Sequence, residues 1–134
     1  MKIEQALLDE IVAHARRDAP NECCGVVLGR DGTATSARAL ENLAASPFRF
    51  DIDGRELIAF AFADDEDEER LTAIYHSHTR SAPYPSQTDV NFAAGWPGVE
   101  WLIVGIPKAK DAEAEVRSYL IDDGAIREVE LVIV

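Results

Sequence analysis

Three histidines occur in the 134 residues, and two of them, His76 and His78, stand two apart at the end of the apolar run Leu71–Ser77. On a strand, side chains at i and i+2 share a face. On a helix they would diverge by about 200°. The pair is therefore a two-toothed metal chelator only if Leu71–Ser77 is a strand. After seven intervening residues comes Ser86, and after two more Asp89. Ser86-x-x-Asp89 also reads as a helix capping pair, which would hold the Asp89 carboxylate at a helix start where the intervening loop can return it to the histidines. Two imidazoles and one carboxylate form the ligand set of a catalytic zinc, with a fourth position open for water that the metal acidifies to near-neutral pKa. Such a site also needs a base to relay the proton and a donor for the oxyanion on an attacked carbonyl.

The elements that must position these residues are legible in the pattern. Ile3, Leu7, Leu8, Ile11, Val12 and Ala15 recur at helical spacing up to Asp18-Ala19-Pro20. Cys23–Gly29 predicts a buried strand, Arg30-Asp31-Gly32 a turn, and Thr35–Asn42 a weaker strand. Phe48, Phe50 and Ile52 alternate with Arg49 and Asp51, which predicts a half-buried strand. Asp53 is placed to cap a helix over Gly54–Ala63, and the charged run Asp64–Arg70 reads as solvated. Ser86–Ala94 predicts a short helix and Trp101–Ile106 a strand. Val116–Asp122 and Ile126–Val134 flank Asp122-Asp123-Gly124, a hairpin signal. About three helices and seven strands predict an α/β fold. It is a single layered domain over residues 1–134, with a mixed, mostly antiparallel curved sheet flanked by helices.

Composition narrows the chemistry. Thirteen Lys+Arg against 25 Asp+Glu give a net charge of −12, which repels nucleic-acid phosphate and anionic membrane. No run approaches the length of a membrane span, and the N-terminus has no uninterrupted apolar stretch of the signal-peptide kind. The only cysteines, Cys23 and Cys24, are adjacent, which suits buried thiols in a reducing cytoplasm rather than a disulfide scaffold. His14 matches no motif and reads as structural.

Other metal motifs fit worse. Thr79 and Arg80 follow His78 where HxHxDH would be needed, and neither HExxH nor an HxE with PCxxC occurs. The stretch HSHTRSAPYPSQTD, with PNECCGVVLG upstream, closely resembles the JAMM/MPN+ zinc metallopeptidases, and its wording is most similar to their small bacterial, Mec-type branch, the sulfur-carrier-protein–cysteine hydrolases. The resemblance implies the MPN fold, also described as cytidine-deaminase-like. It implies Zn(2+) held by His76, His78 and Asp89, Glu22 as the general acid/base, and Ser86 as the hydroxyl that stabilises the tetrahedral intermediate. The chain departs from eukaryotic members at Thr79, where those often have Pro. It also has only about ten residues between Asp89 and the Trp101 strand, too few for the insertion with which deubiquitinases grip a second ubiquitin.

The resemblance further implies a hydrolase that cleaves the amide after the C-terminal Gly of a small ubiquitin-like sulfur-carrier protein ending in Gly-Gly, releasing cysteine. Two alternatives stay open. One is an isopeptidase that removes a ubiquitin-like protein from lysines. The other is a non-catalytic binding module stapled by zinc, in which all four metal positions would be closed.

Overall fold

In the computed structural model, which describes residues 1–62, 69–109 and 112–134, one eight-stranded sheet runs through the molecule. The elements are β1 (Lys2–Ile3), α1 (Gln5–Asp18), β2 (Cys24–Arg30), β3 (Thr33–Leu40), α2 (Gly54–Ala61), β4 (Arg70–His78), α3 (Gln87–Ala93), β5 (Glu100–Gly105), β6 (Glu115–Asp122), β7 (Ala125–Val129) and β8 (Val132–Ile133). Their order in the sheet is β7-β6-β5-β4-β2-β3-β1-β8. Four pairings are antiparallel, and β4–β5, β1–β3 and β1–β8 are parallel.

Strand alternation sorts the core into two layers. On one face, Val27, Ala73, Tyr75, Leu102 and Val104 pack under Leu8, Ile11 and Ala15 of α1. These three recur at the spacing of a single helix face. On the other, Cys24, Val26, Ile74, Trp101 and Ile103 pack with Leu57 of α2 and Ala93 of α3. Asp53 caps α2 by accepting a hydrogen bond from the Arg55 amide. Asp31-Gly32 and Asp123-Gly124 close two-residue hairpins with positive φ at both positions. That is the geometry Asp-Gly favours.

Three sequence expectations are corrected. Ile3 lies in β1, not α1, because the N-terminal residues pair with β3 and β8. Residues 48–52 are not a strand. Phe50 and Ile52 are buried as the alternation implies, but Phe48 is exposed, and the segment bonds to the side chain of Asn42 instead of to a neighbouring strand. The C-terminal run splits into β7 and β8. Of the acidic run, residues 64–68 lie outside the described residues.

The site-bearing strand is β4. It is central, with β2 on one side and β5 on the other, and α3 forms the crossover between β4 and β5. Parallel β-α-β units place ligand sites at the carboxyl ends of their strands. Here that end is Ser77-His78. Gly25 on β2, opposite Tyr75, is required by close approach: a Cβ there would lie 2.3 Å from the Tyr75 ring and 2.5 Å from the Arg38 carbonyl.

Candidate metal centre

His76 and His78 leave the same face of β4, as strand periodicity requires, and both are buried. His76 is held between Phe50, whose ring stacks on it at 4.5 Å between centroids, and the edge of Trp101 at 6.4 Å. His78 is oriented through its other nitrogen. Its Nδ1 lies 2.9 Å from the Ala82 carbonyl, to which it donates. A carbonyl can only accept, so this bond leaves the Nε2 lone pair of His78 facing the site. The loop that carries Ala82 is itself pinned. The Tyr119 hydroxyl donates to the Pro83 carbonyl, and Pro83 sits where a Cβ on Gly105 would come within 2.9 Å.

The loop then turns into α3. Ser86 is the N-cap, and the capping box is complete: the Asp89 amide donates to Ser86 Oγ (3.1 Å), and the Ser86 amide donates to Asp89 Oδ2 (2.9 Å). The capping geometry therefore serves the site by fixing the carboxylate. Ser86 Oγ accepts one bond here and still has its proton to donate.

Three atoms converge. His76 Nε2 lies 3.1 Å from His78 Nε2 and 3.1 Å from Asp89 Oδ2, and His78 Nε2 lies 3.3 Å from Asp89 Oδ2. Metal–nitrogen bonds of about 2.0–2.1 Å in a tetrahedron put ligand atoms about 3.3 Å apart. The triangle thus has the edge length of one tetrahedral face, and its donors are the nitrogen and oxygen types a borderline cation takes. The Glu22 carboxylate stands beside it, within 4.8 Å of both histidine ring nitrogens. The chain therefore carries a buried metal site at the carboxyl end of β4.

Burial pushes the Glu22 carboxyl up to about 7, the neighbouring His78 partly opposing this. Burial also acts to raise Asp89, but the close imidazoles of His76 and His78 outweigh it and hold the carboxyl well below the usual range. Burial lowers His76. For His78 burial is outweighed by the contacts to Asp89 and Ala82, and the net shift is upward. Cys23 and Cys24 are free thiols pushed up to about 12 by burial, so they are neither thiolate ligands nor nucleophiles at neutral pH.

All five residues expected from the sequence come together at this end of the sheet. The sequence reading missed Phe50 and Ala82. In the sequence, Phe50 carries only the signal of an alternating strand pattern. A backbone carbonyl such as that of Ala82 leaves no sequence signal.

Comparison with known proteins places the chain. Residues 4–122 match the family of prokaryotic homologs of the JAB domain. The CysO-cysteine peptidase of Mycobacterium tuberculosis is 38% identical over 129 residues, 94% of this chain and 86% of that protein. A desampylase of Haloferax volcanii is 37% identical over 102 residues, 71% of this chain and 73% of that one. In fold, the chain superposes on a JAB1/MPN domain protein of Archaeoglobus fulgidus with a TM-score of 0.67, covering all of this chain and 97% of that one at 21% identity. With its buried histidine–carboxylate centre at the end of β4, the chain belongs to the prokaryotic JAB-domain (JAMM/MPN) family of hydrolases.

Proposed function

We propose that this chain is a zinc metallopeptidase that hydrolyses the amide after the C-terminal Gly of a ubiquitin-like sulfur-carrier protein and releases cysteine. The observation that carries the reading is the donor triangle of His76, His78 and Asp89, with Glu22 at its side, in a chain 38% identical to a CysO-cysteine peptidase. His76 Nε2, His78 Nε2 and Asp89 Oδ2 would hold the metal. Bound there, zinc supplies Lewis acidity, acidifying water and polarising the amide carbonyl.

The protein's own groups do the rest. Glu22, with its carboxyl near 7 in the metal-free site, takes the proton from the attacking water and returns it to the leaving amine. Ser86 donates its hydroxyl proton toward the oxygen that becomes negative in the tetrahedral intermediate. Ala82 keeps His78 in the tautomer that offers Nε2. A Gly-Gly terminus suits a substrate tail that must approach a buried centre without side chains in the way.

Among the described residues, no helix is long and apolar enough to cross a membrane. The two unpaired buried thiols support a reducing compartment, the cytoplasm. The similarity to a desampylase favours a second reading, an isopeptidase acting on lysine-linked conjugates of a ubiquitin-like protein. Mass spectrometry separates the two. A carrier ending in Gly-Gly-Cys should lose one residue, while a lysine-linked conjugate should be cut slowly or not at all. Rapid cleavage of the conjugate with no trimming of the cysteine adduct would replace the first reading by the second.

A further inference from the structure

Glu22 does not belong to the sheet. The strand β2 starts at Cys24, and both backbone groups of Glu22 are bonded to the segment that follows β3. Its amide donates to the Ser46 carbonyl at 2.8 Å, and its carbonyl accepts from Asn42 Nδ2 at 2.9 Å. Asn42 has no bonding capacity to spare. Nδ2 also donates to the Arg49 carbonyl at 3.1 Å, and Oδ1 accepts from the amides of Ala44 and Asp51, both at 3.0 Å. All four partners are backbone groups of fixed polarity, so the orientation of the amide is determined by its surroundings.

The segment that Asn42 closes bears on the histidines too. Phe50 lies between Arg49 and Asp51, the two backbone partners of Asn42 in that stretch, and it stacks on His76. One side chain therefore ties the backbone of the acid/base to the backbone that carries the wall of a metal donor.

We propose that Asn42 is a positioning residue: its side-chain amide sets the Glu22 carboxylate relative to the His76–His78–Asp89 centre. This rests on the reading of Glu22 as the acid/base. Asn42 touches no reacting atom, and it acts through Glu22. Groups that orient active-site residues in this way are worth about 10- to 100-fold in activity.

Two variants divide the role. Asn42→Ala removes all four bonds. Asn42→Asp keeps an acceptor for Ala44 and Asp51 but removes the donor to Glu22 and sets a carboxylate oxygen against its carbonyl. Both should retain zinc and lower kcat on the carrier–Gly-Gly-Cys adduct by about 10- to 100-fold with KM little changed. The discriminating measurement is the double variant with Glu22→Gln, assayed in single turnover. If Asn42 acts through Glu22, adding Asn42→Ala to Glu22→Gln should cost almost nothing further, whereas a general structural effect would multiply.

Amide hydrogen exchange on the metal-free protein tests the same tie without any turnover. The Glu22 amide should exchange at least about tenfold faster in Asn42→Ala and Asn42→Asp, with the amides of Ile74 and Ile103 unchanged. Unchanged exchange at Glu22, or an equal loss of rate in the wild-type and Glu22→Gln backgrounds, overturns the inference. Failure of the wild-type chain to cleave either substrate would instead count against the peptidase reading and leave the exchange result to decide the role of Asn42.

Discussion

Strand β4 sends Tyr75 to one face of the sheet and His76 to the other, and each face holds a buried imidazole beside a carboxylate. On the α1 face, His14 Nδ1 is 2.7 Å from the Tyr75 hydroxyl and His14 Nε2 is 3.1 Å from Asp18 Oδ2. Every polar atom of that ring has a partner of its own, and no lone pair is left pointing at a shared space. On the other face, two Nε2 atoms and one Oδ2 crowd to within 3.3 Å of one another. Such a cluster of lone pairs is relieved only by a proton or a cation at its centre. A buried histidine with an acidic neighbour is thus not in itself a site. Convergence of lone pairs on one point is what separates the metal centre from the structural bond network behind it.

The largest expected effect comes from breaking that convergence. His78→Ala should lower bound zinc from about one per chain to near zero and take peptidase activity to background, as read by metal analysis of protein purified without chelators. Zinc retained in the variant would remove His78 from the site.

Glu22→Gln should leave zinc in place and reduce turnover by about 10²–10⁴-fold, because a carboxamide cannot relay a proton. Its effect on the metal-free protein has the opposite sign. The Glu22 carboxyl is raised by burial to about 7 from 4.5, so the protonated form favours the folded state. That contribution is fully present below about 4.5 and is lost as pH rises through about 7, on the order of 3 kcal/mol in all. Melting temperatures of metal-free Glu22→Gln should therefore exceed those of wild type by a margin that widens from pH 5 to pH 8. A margin independent of pH would mean the carboxylate is not desolvated as the structure has it.

Much of this was legible in the sequence because it is local. The HxH register follows from strand alternation, and the capping pair Ser86-x-x-Asp89 follows from helix-start chemistry. Both lie within one β4–loop–α3 stretch. The Asp-Gly hairpins and the Asp53 cap were legible for the same reason. The position of Glu22 was not, since it depends on Asn42 and Ser46, some twenty residues away in sequence. Only the resemblance to a family singled it out. Residues 48–52 misled because an alternating pattern reports burial on one side. Here the burial comes from a loop folded over His76 and not from a strand in a ladder.

Ser86→Ala should act next in size. The hydroxyl both caps α3 and is available as a donor, so kcat should fall by about 10²–10³-fold while stability falls by only about 1 kcal/mol. A melting shift with near-normal kcat would make Ser86 a cap alone.

The smallest effect on function is expected on the α1 face, and it sharpens the contrast. Tyr75→Phe leaves His14 Nδ1 buried without its partner and should cost about 1–3 kcal/mol of stability. Zinc content and kcat should stay at wild-type values, since the hydroxyl lies on the far side of the sheet from the donors. A loss of zinc in Tyr75→Phe would show that the two faces are coupled through β4.

Zinc-edge X-ray absorption on the zinc-loaded protein, compared with its His78→Ala and Glu22→Gln variants, tests the central claim most directly. The account predicts one zinc with two imidazole nitrogens, one carboxylate oxygen and one oxygen from solvent at about 2.0–2.1 Å. The spectrum should change in His78→Ala and stay the same in Glu22→Gln. A spectrum that changes when Glu22 is replaced would make that carboxylate a fourth protein ligand. The centre would then be a closed structural staple, and the account of an open hydrolytic site would be contradicted.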